Sequence, residues 1–507
     1  MSKPTQASRR LFLQQAAALS GLGVAAPFAA NLAAMGAASA AGATDYKALV
    51  CIFLQGGNDS YNTVLATDAA SWQAYQSVRN QQPESIALLK DVAANRAATA
   101  GSPAWLGGVL PLTPAQSMNR TFALHPMLTN TQALFNTQRR LAIMANVGPL
   151  IEPITKSEYR AKSKRIPAKL FSHNDQQNTW QAFAPEGATV GWGGRLADVI
   201  ATDNGGSMFT AISASGNSVW LNGQSVKQYQ VATTGATRLG TYTDQQGLTS
   251  VYNMPNVGAA LERMVRQSSS AHAFSRDIGV VNGRSIEGER ALTAALAAYS
   301  PSSAPFGPSS SLMYDSVIKG EPVVNPLAEQ LQIVARIIAA RGTLGLKRQV
   351  FFVNLYGFDT HDRQNLNHAD LMARLDHGLG YFDTVLRAMG AENAVTTFTA
   401  SDFGRTFTSN GDGTDHGWGA HHFVMGGAVR GGAIAGQFPS IAVKNTQNNE
   451  FDASPDQLLN GALLPTTSVE QYGATFARWM GISAANMRLV FPNIGNYAND
   501  TVASLLI

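Results

Sequence analysis

The chain has 507 residues, 45% hydrophobic and 14% charged, with a single cysteine and a formal net charge of +4. One cysteine excludes an internal disulfide and a thiolate zinc centre. Lys3, Arg9 and Arg10 carry most of the excess charge, so the chain beyond residue 40 is nearly neutral and offers no basic field for nucleic acid.

The first predicted element is a signal. Ser8-Arg9-Arg10-Leu11-Phe12-Leu13 opens an alanine-rich run, and Ala38-Ser39-Ala40 provides small residues for cleavage. Residues 1–40 therefore read as a twin-arginine signal peptide, addressed through the twin-arginine translocase to the periplasm or the extracellular space. Gly21, Gly23, Pro27 and Asn31 interrupt its apolar stretch, which tells against a spanning anchor. No later segment is long and apolar enough to span, so no stable membrane insertion is expected. This route carries folded proteins and often accompanies a metal or cofactor loaded beforehand.

Residues 41–507 form the expected working domain. Short apolar runs at Leu49–Leu54, Leu141–Val147, Gln349–Leu355, Ala394–Ala400 and His422–Val429 each break into polar or glycine-rich loops. They read as buried strands. Between them, Pro326–Arg341, Asp370–Met389 and Ser468–Met480 carry apolar residues at helical spacing. The alternation predicts an α/β fold: a doubly wound, mostly parallel sheet with helices on both faces. Residues 208–254 are polar and rich in Gly, Thr and Gln, which suggests an inserted flap. Cys51 lies inside the first apolar run and reads as a buried structural thiol.

In such a fold, ligands bind where loops leave the carboxyl ends of strands. Asp59 follows the first run, Asp359 and His361 another, and Asp402 a third, with His416 shortly after. Any one of them alone reads as a turn former or a satisfied side chain. Five potential ligands on one sheet edge point instead to one or two divalent metal ions, with Zn, Mn, Ca and Mg all open. Ser172-x-x-Asp175 fits a capping box, and a serine at a helix N-terminus also suits an anionic or nucleophilic oxygen. His125 reads as a ligand, a supporting residue or a structural one. Arg405 offers a guanidinium to an oxyanion, and Arg195 does so more weakly.

The stretches Leu54-Gln55-Gly56-Gly57-Asn58-Asp59-Ser60-Tyr61-Asn62, Leu124-His125-Pro126, Ser172-His173-x-Asp175-x-Gln177, Gly191-Trp192-Gly193-Gly194-Arg195, Gly357-Phe358-Asp359-Thr360-His361, Asp402-Phe403-Gly404-Arg405-Thr406 and Gly413-Thr414-Asp415-His416-Gly417 resemble the DUF1501 family. That family resembles a branch of the alkaline phosphatase superfamily. The resemblance implies a three-layer α/β/α sandwich with metals at the strand ends. It implies metal ligands at Asp59, Asp359, His361, Asp402 and His416, with Ser172 near the nucleophile position. Phe403 departs from the pattern, because a phenyl ring stands where a histidine ligand is usual. Asp359 and His361 also lie closer together than the usual pair.

Cys51 does not open the Cys-x-Pro-x-Arg motif that formylglycine sulfatases need, and no serine version occurs. No Gly-x-Ser-x-Gly elbow occurs either. The leading expectation is an exported metal-dependent hydrolase of phosphate or sulfate esters, with Ser172 and Arg405 in catalytic roles. The alternative is a non-enzymatic periplasmic binding or assembly protein that keeps a degenerate site. Carbohydrate stacking on Trp180, Trp192 and Trp220 is a weaker third reading.

Overall fold

The computed structural model describes residues 43–116, 118–237, 241–243, 247–251, 254–266 and 272–507. The expected signal, residues 1–40, lies outside the described residues, as does part of the expected flap. No described helix is long and apolar enough to cross a membrane.

The core is a ten-stranded mixed sheet. Its strands are β1 (Lys47–Gln55), β2 (Leu141–Gly148), β3 (Ala211–Ser213), β4 (Tyr229–Ala232), β5 (Gly235–Ala236), β6 (Arg348–Tyr356), β7 (Val395–Ser401), β8 (Ala420–Gly426), β9 (Ile434–Ala435) and β10 (Thr467–Ser468). They run in the order β9-β2-β8-β7-β1-β6-β3-β4-β5, with β10 beside β2. β1 pairs in parallel with both β6 and β7.

β1 shows why the sheet is buried on both sides. Val50, Ile52 and Leu54 enter one apolar core, and Leu49, Cys51 and Phe53 enter the other. The first core is completed by α7 (Pro326–Ala339) and α8 (Gln364–Ala388), through Leu327, Leu331, Leu375 and Phe382. The second is completed by α4 (His173–Ala182), α5 (Trp192–Ile200) and α9 (Val469–Trp479), through Trp180, Leu196 and Phe476. Full burial on both faces explains the near-continuous apolar runs. Of the other helices, α1 (Ser60–Thr63) and α2 (Ala69–Arg79) follow β1, α3 (Thr129–Asn136) precedes β2 and α6 (Ala273–Leu296) precedes α7.

The structure departs from expectation at several points. β8 begins at Ala420 rather than His422, and it runs antiparallel to both β7 and β2. After β7 the chain makes a short hairpin, Arg405–Ser409 against Thr414–His416, without leaving that edge. No crossover helix intervenes, so it must return antiparallel. That return brings His416 back to the carboxyl end of β1. Within the expected flap, Ala211–Ser213 and Tyr229–Ala232 are strands of the central sheet, not a separate unit. α8 starts at Gln364, ahead of the predicted Asp370, because its polar first turn hides the helical period. Cys51 is buried, as expected.

Candidate metal centre

Two polar clusters form where β1, β6 and β7 end. The inner one is closed. Asp59 follows β1 and accepts the Tyr61 amide as it caps α1. Its carboxylate also takes two bonds from Arg79, at 2.5 and 2.9 Å, and one from the Gln364 amide at 2.6 Å. The Asp59 and Arg79 side chains are wholly buried. Burial opposes the Asp59 charge, but Arg79 outweighs it and holds the carboxyl below its usual range. Asp59 therefore stands apart from the other expected ligands. His125 belongs to this inner side as well: it accepts the Met127 amide and packs edge-on against His368 at 5.3 Å.

The outer cluster is open. Asp359, on the loop after β6, lies within 3.2 Å of His173 Nε2, 3.2 Å of His361 Nε2 and 3.4 Å of His416 Nε2. Atoms shared by one tetrahedral ion with bonds of 2.0–2.1 Å would lie about 3.4 Å apart. His173, Asp359 and His416 offer ligand atoms that all fall within 4.8 Å of one another.

The tautomers follow from the partners. His416 Nδ1 lies 2.7 Å from the Phe171 carbonyl, which can only accept, so Nδ1 carries the hydrogen. His173 Nδ1 faces Asp402 Oδ2 at 3.0 Å, and His361 Nδ1 faces Asp415 Oδ1 at 3.3 Å. His173 and His416 thus spend Nδ1 on an oxygen and turn Nε2 towards Asp359, the arrangement of metal-binding histidines. His361 Nε2 and His416 Nε2 lie only 2.9 Å apart. Two lone pairs at that distance repel unless a proton or a cation lies between them. His173 Nε2 and Asp402 Oδ1 are both buried without a hydrogen-bond partner.

The surroundings lock this geometry. Arg405 is fully buried and donates to the carbonyls of Gly57, Thr414, Gly56 and Phe358 and to the Asp359 carboxylate. It braces Asp359 and stands away from any position facing an external oxyanion. Burial disfavours the Asp359 charge, yet Arg405 more than compensates and its pKa falls. The Asp402 hydrogen bond raises the proton affinity of His173, whereas burial lowers that of His416. Gly56 has φ +114°, and a Cβ there would meet the Asp359 amide at 2.4 Å. The Phe403 ring lies 4.8 Å from His173 and 4.6 Å from His416, and fills that side of the group. Gln364 ties the clusters together: it holds Asp59 and accepts from Thr414 at 2.7 Å and Thr360 at 3.3 Å.

The structure thus brings Asp359 and His416 to ligand spacing together with His173, which the sequence alone did not single out as a ligand, and places His361 against Asp359 and His416. Asp402 reaches this group through His173. Ser172 takes the N-cap position of α4 but makes no cap bond; its hydroxyl donates to Asp175 Oδ2 at 3.0 Å. The expected capping box is therefore absent, because Asp175 draws the hydroxyl instead. Trp180, Trp192 and Trp220 are buried in the core and present no face for a sugar.

The family profile described as "Protein of unknown function (DUF1501)" matches residues 46–491. The chain belongs to the DUF1501 family. No curated protein matches its sequence. Two solved structures, "Crystal structure of Ps i-CgsB" and that protein in complex with k-i-k-neocarrahexaose, share 10% identity with this DUF1501 chain at TM-scores of 0.33 and 0.32. Each alignment covers 90% of this chain and 78% of the other.

Proposed function

We propose that this chain is an exported, metal-dependent hydrolase of phosphate or sulfate esters, built on an alkaline phosphatase-like α/β/α sandwich and sent out by the twin-arginine pathway. The observation that carries the reading is the convergence of His173 and His416 Nε2 on Asp359, each ring hydrogen-bonded to an oxygen at Nδ1, with His361 Nε2 alongside. Mixed imidazole and carboxylate donors favour Zn or Mn over Ca or Mg. Phe403 takes the space of a further ligand, which favours one ion over two.

When bound, the ion supplies Lewis-acid polarisation of the ester oxygen and lowers the pKa of the attacking group. The protein's own residues do the rest. His173, Asp359 and His416 would hold the ion with one position left for the ester oxygen, His361 would flank Asp359 and His416, Asp402 orients His173, and Arg405 fixes Asp359. The attacking oxygen, from Ser172 or from water, forms a bond to phosphorus or sulfur. The bond to the alcohol oxygen breaks, and the attacker's proton ends on the departing alcohol. Where Ser172 attacks, water then hydrolyses the seryl ester.

The test is a screen of phosphate and sulfate monoesters with the purified chain and added Zn, Mn, Ca or Mg. Turnover with Zn or Mn that disappears in Asp359→Asn supports the hydrolase. A folded chain that turns over nothing with any metal overturns it. That result favours the second reading, a periplasmic binding or assembly protein with a degenerate site, for which Phe403 is the supporting residue. Ser172→Ala separates the two attackers: loss of turnover assigns Ser172, and retention assigns water.

A further inference from the structure

A cleft of about 260 Å³ opens beside the candidate metal centre and shares His416 with it. Its apolar walls are Tyr159, Phe171, Leu458, Leu459 and Ala462. Leu459 is 54% exposed and Phe171 37% exposed, so two large apolar side chains face water next to a polar centre.

Leu459 is held out by design of the backbone rather than by fraying. The turn that carries it is closed by Leu458 N to Ala462 O at 2.8 Å and Gly461 N to Leu458 O at 2.9 Å. Thr408 Oγ1 secures the same turn by donating to the Asn460 carbonyl at 3.1 Å. Phe171 is fixed from the other side, because its carbonyl takes the His416 Nδ1 hydrogen. The cleft is therefore preformed.

Most of its charged and hydroxyl groups are already engaged. Arg160 and Glu450 close on each other at 2.6 Å. Thr406 Oγ1 donates to the Thr408 carbonyl and accepts the Asp415 amide. Asp415, half-exposed at the mouth, disfavours a second anionic group there. What remains on offer is mainly apolar contact, with the Asn460 amide beside it, in a space just below the usual size of ligand pockets, roughly 300–1,000 Å³. A larger cleft of about 450 Å³, lined by Lys156, Asp456 and Tyr497 among others, shares no residue with the metal centre.

We propose that the esters accepted here carry a single uncharged, apolar ring or an alkyl group of similar size on the alcohol side. The cleft beside His416 would hold that group while the ester anion faces the metal centre. Small polar esters and polyanionic ones such as nucleotides are disfavoured. The inference rests on the metal-dependent hydrolase reading and narrows its substrate.

The test is calorimetry on the full chain with zinc, using phenylphosphonate against methylphosphonate and benzenesulfonate against methanesulfonate. These probes cannot be hydrolysed and differ only in the group offered to the cleft. The aryl member should bind about tenfold tighter than its methyl counterpart, from burial of one ring. Leu459→Asn changes a surface residue without adding charge and should cut that preference below about threefold, leaving zinc content and methyl-probe affinity unchanged. Equal binding of aryl and methyl probes overturns the inference, as does a preference that survives Leu459→Asn. Zinc bound with none of the four probes bound overturns the inference but leaves the metal reading standing. Absence of zinc from the wild-type chain overturns both.

Discussion

The two polar clusters at the end of β1, β6 and β7 are built from similar residues and do opposite things. Around Asp59 every charge has a partner: Arg79 grips the carboxylate twice and Gln364 completes it. Around Asp359, three histidines offer Nε2 atoms to a carboxylate that Arg405 already holds. A satisfied buried network resists change and holds elements in register. An open set of lone pairs at ligand spacing is costly unless something binds it. Residue type and position at a strand end are the same in both cases, so only the partners distinguish a brace from a binding site.

The largest expected effect lies in the closed cluster. Arg79→Ala leaves the Asp59 charge buried and unpaired, which should cost about 3–5 kcal/mol in denaturant unfolding. A cost near zero would remove the distinction between the clusters. His361→Ala, in the half-exposed outer cluster, should cost less than about 1 kcal/mol with chelator present and should reduce the stabilisation that added zinc gives the wild type. Thermal melts with and without zinc check this, and equal zinc stabilisation in both proteins would contradict it.

Acid stability sharpens the contrast further. Burial pushes His421 and His422 down to about 3 each, so both stay neutral in the folded protein. Unfolded, they take protons below about 6.5, so the unfolded state binds more protons between pH 6.5 and 3. Stability should therefore rise with pH in that window, with a loss at pH 5 of up to about 2 kcal/mol per histidine. Denaturant midpoints at pH 7 and pH 5 measure it; an unchanged midpoint would contradict the burial argument. The smallest effect is expected from Ser172→Ala, which removes one hydroxyl bond to Asp175 and should shift stability by no more than about 1 kcal/mol.

The central strands were legible in the sequence because burial on both faces leaves an apolar run that needs no partner to be recognised. β1, β2, β6 and β7 fall within one or two residues of their expected ends. The antiparallel course of β8 was not legible, since strand direction depends on how the chain returns and not on strand composition. The short strands at 211–213 and 229–232 lack a long apolar run, so they read as part of a flap. At the site, Asp359, His361, Asp402 and His416 were read from their places in strand-end loops and in the hairpin after β7. Asp59 shares that pattern, but its partner Arg79 sits on α2, where nothing local marks it as a counter-ion. His173 was overlooked because Ser172 beside it drew the helix-cap reading. The signal available was its place in the first turn of α4, next to a motif already singled out.

The most direct test of this account is metal analysis of the purified full chain after zinc loading and gel filtration. Wild type should retain about one zinc per chain, and His173→Ala and Asp359→Asn should each retain almost none while remaining folded. A folded wild-type chain that retains no zinc or manganese, or a His173→Ala variant that keeps its full complement, would contradict the metal centre.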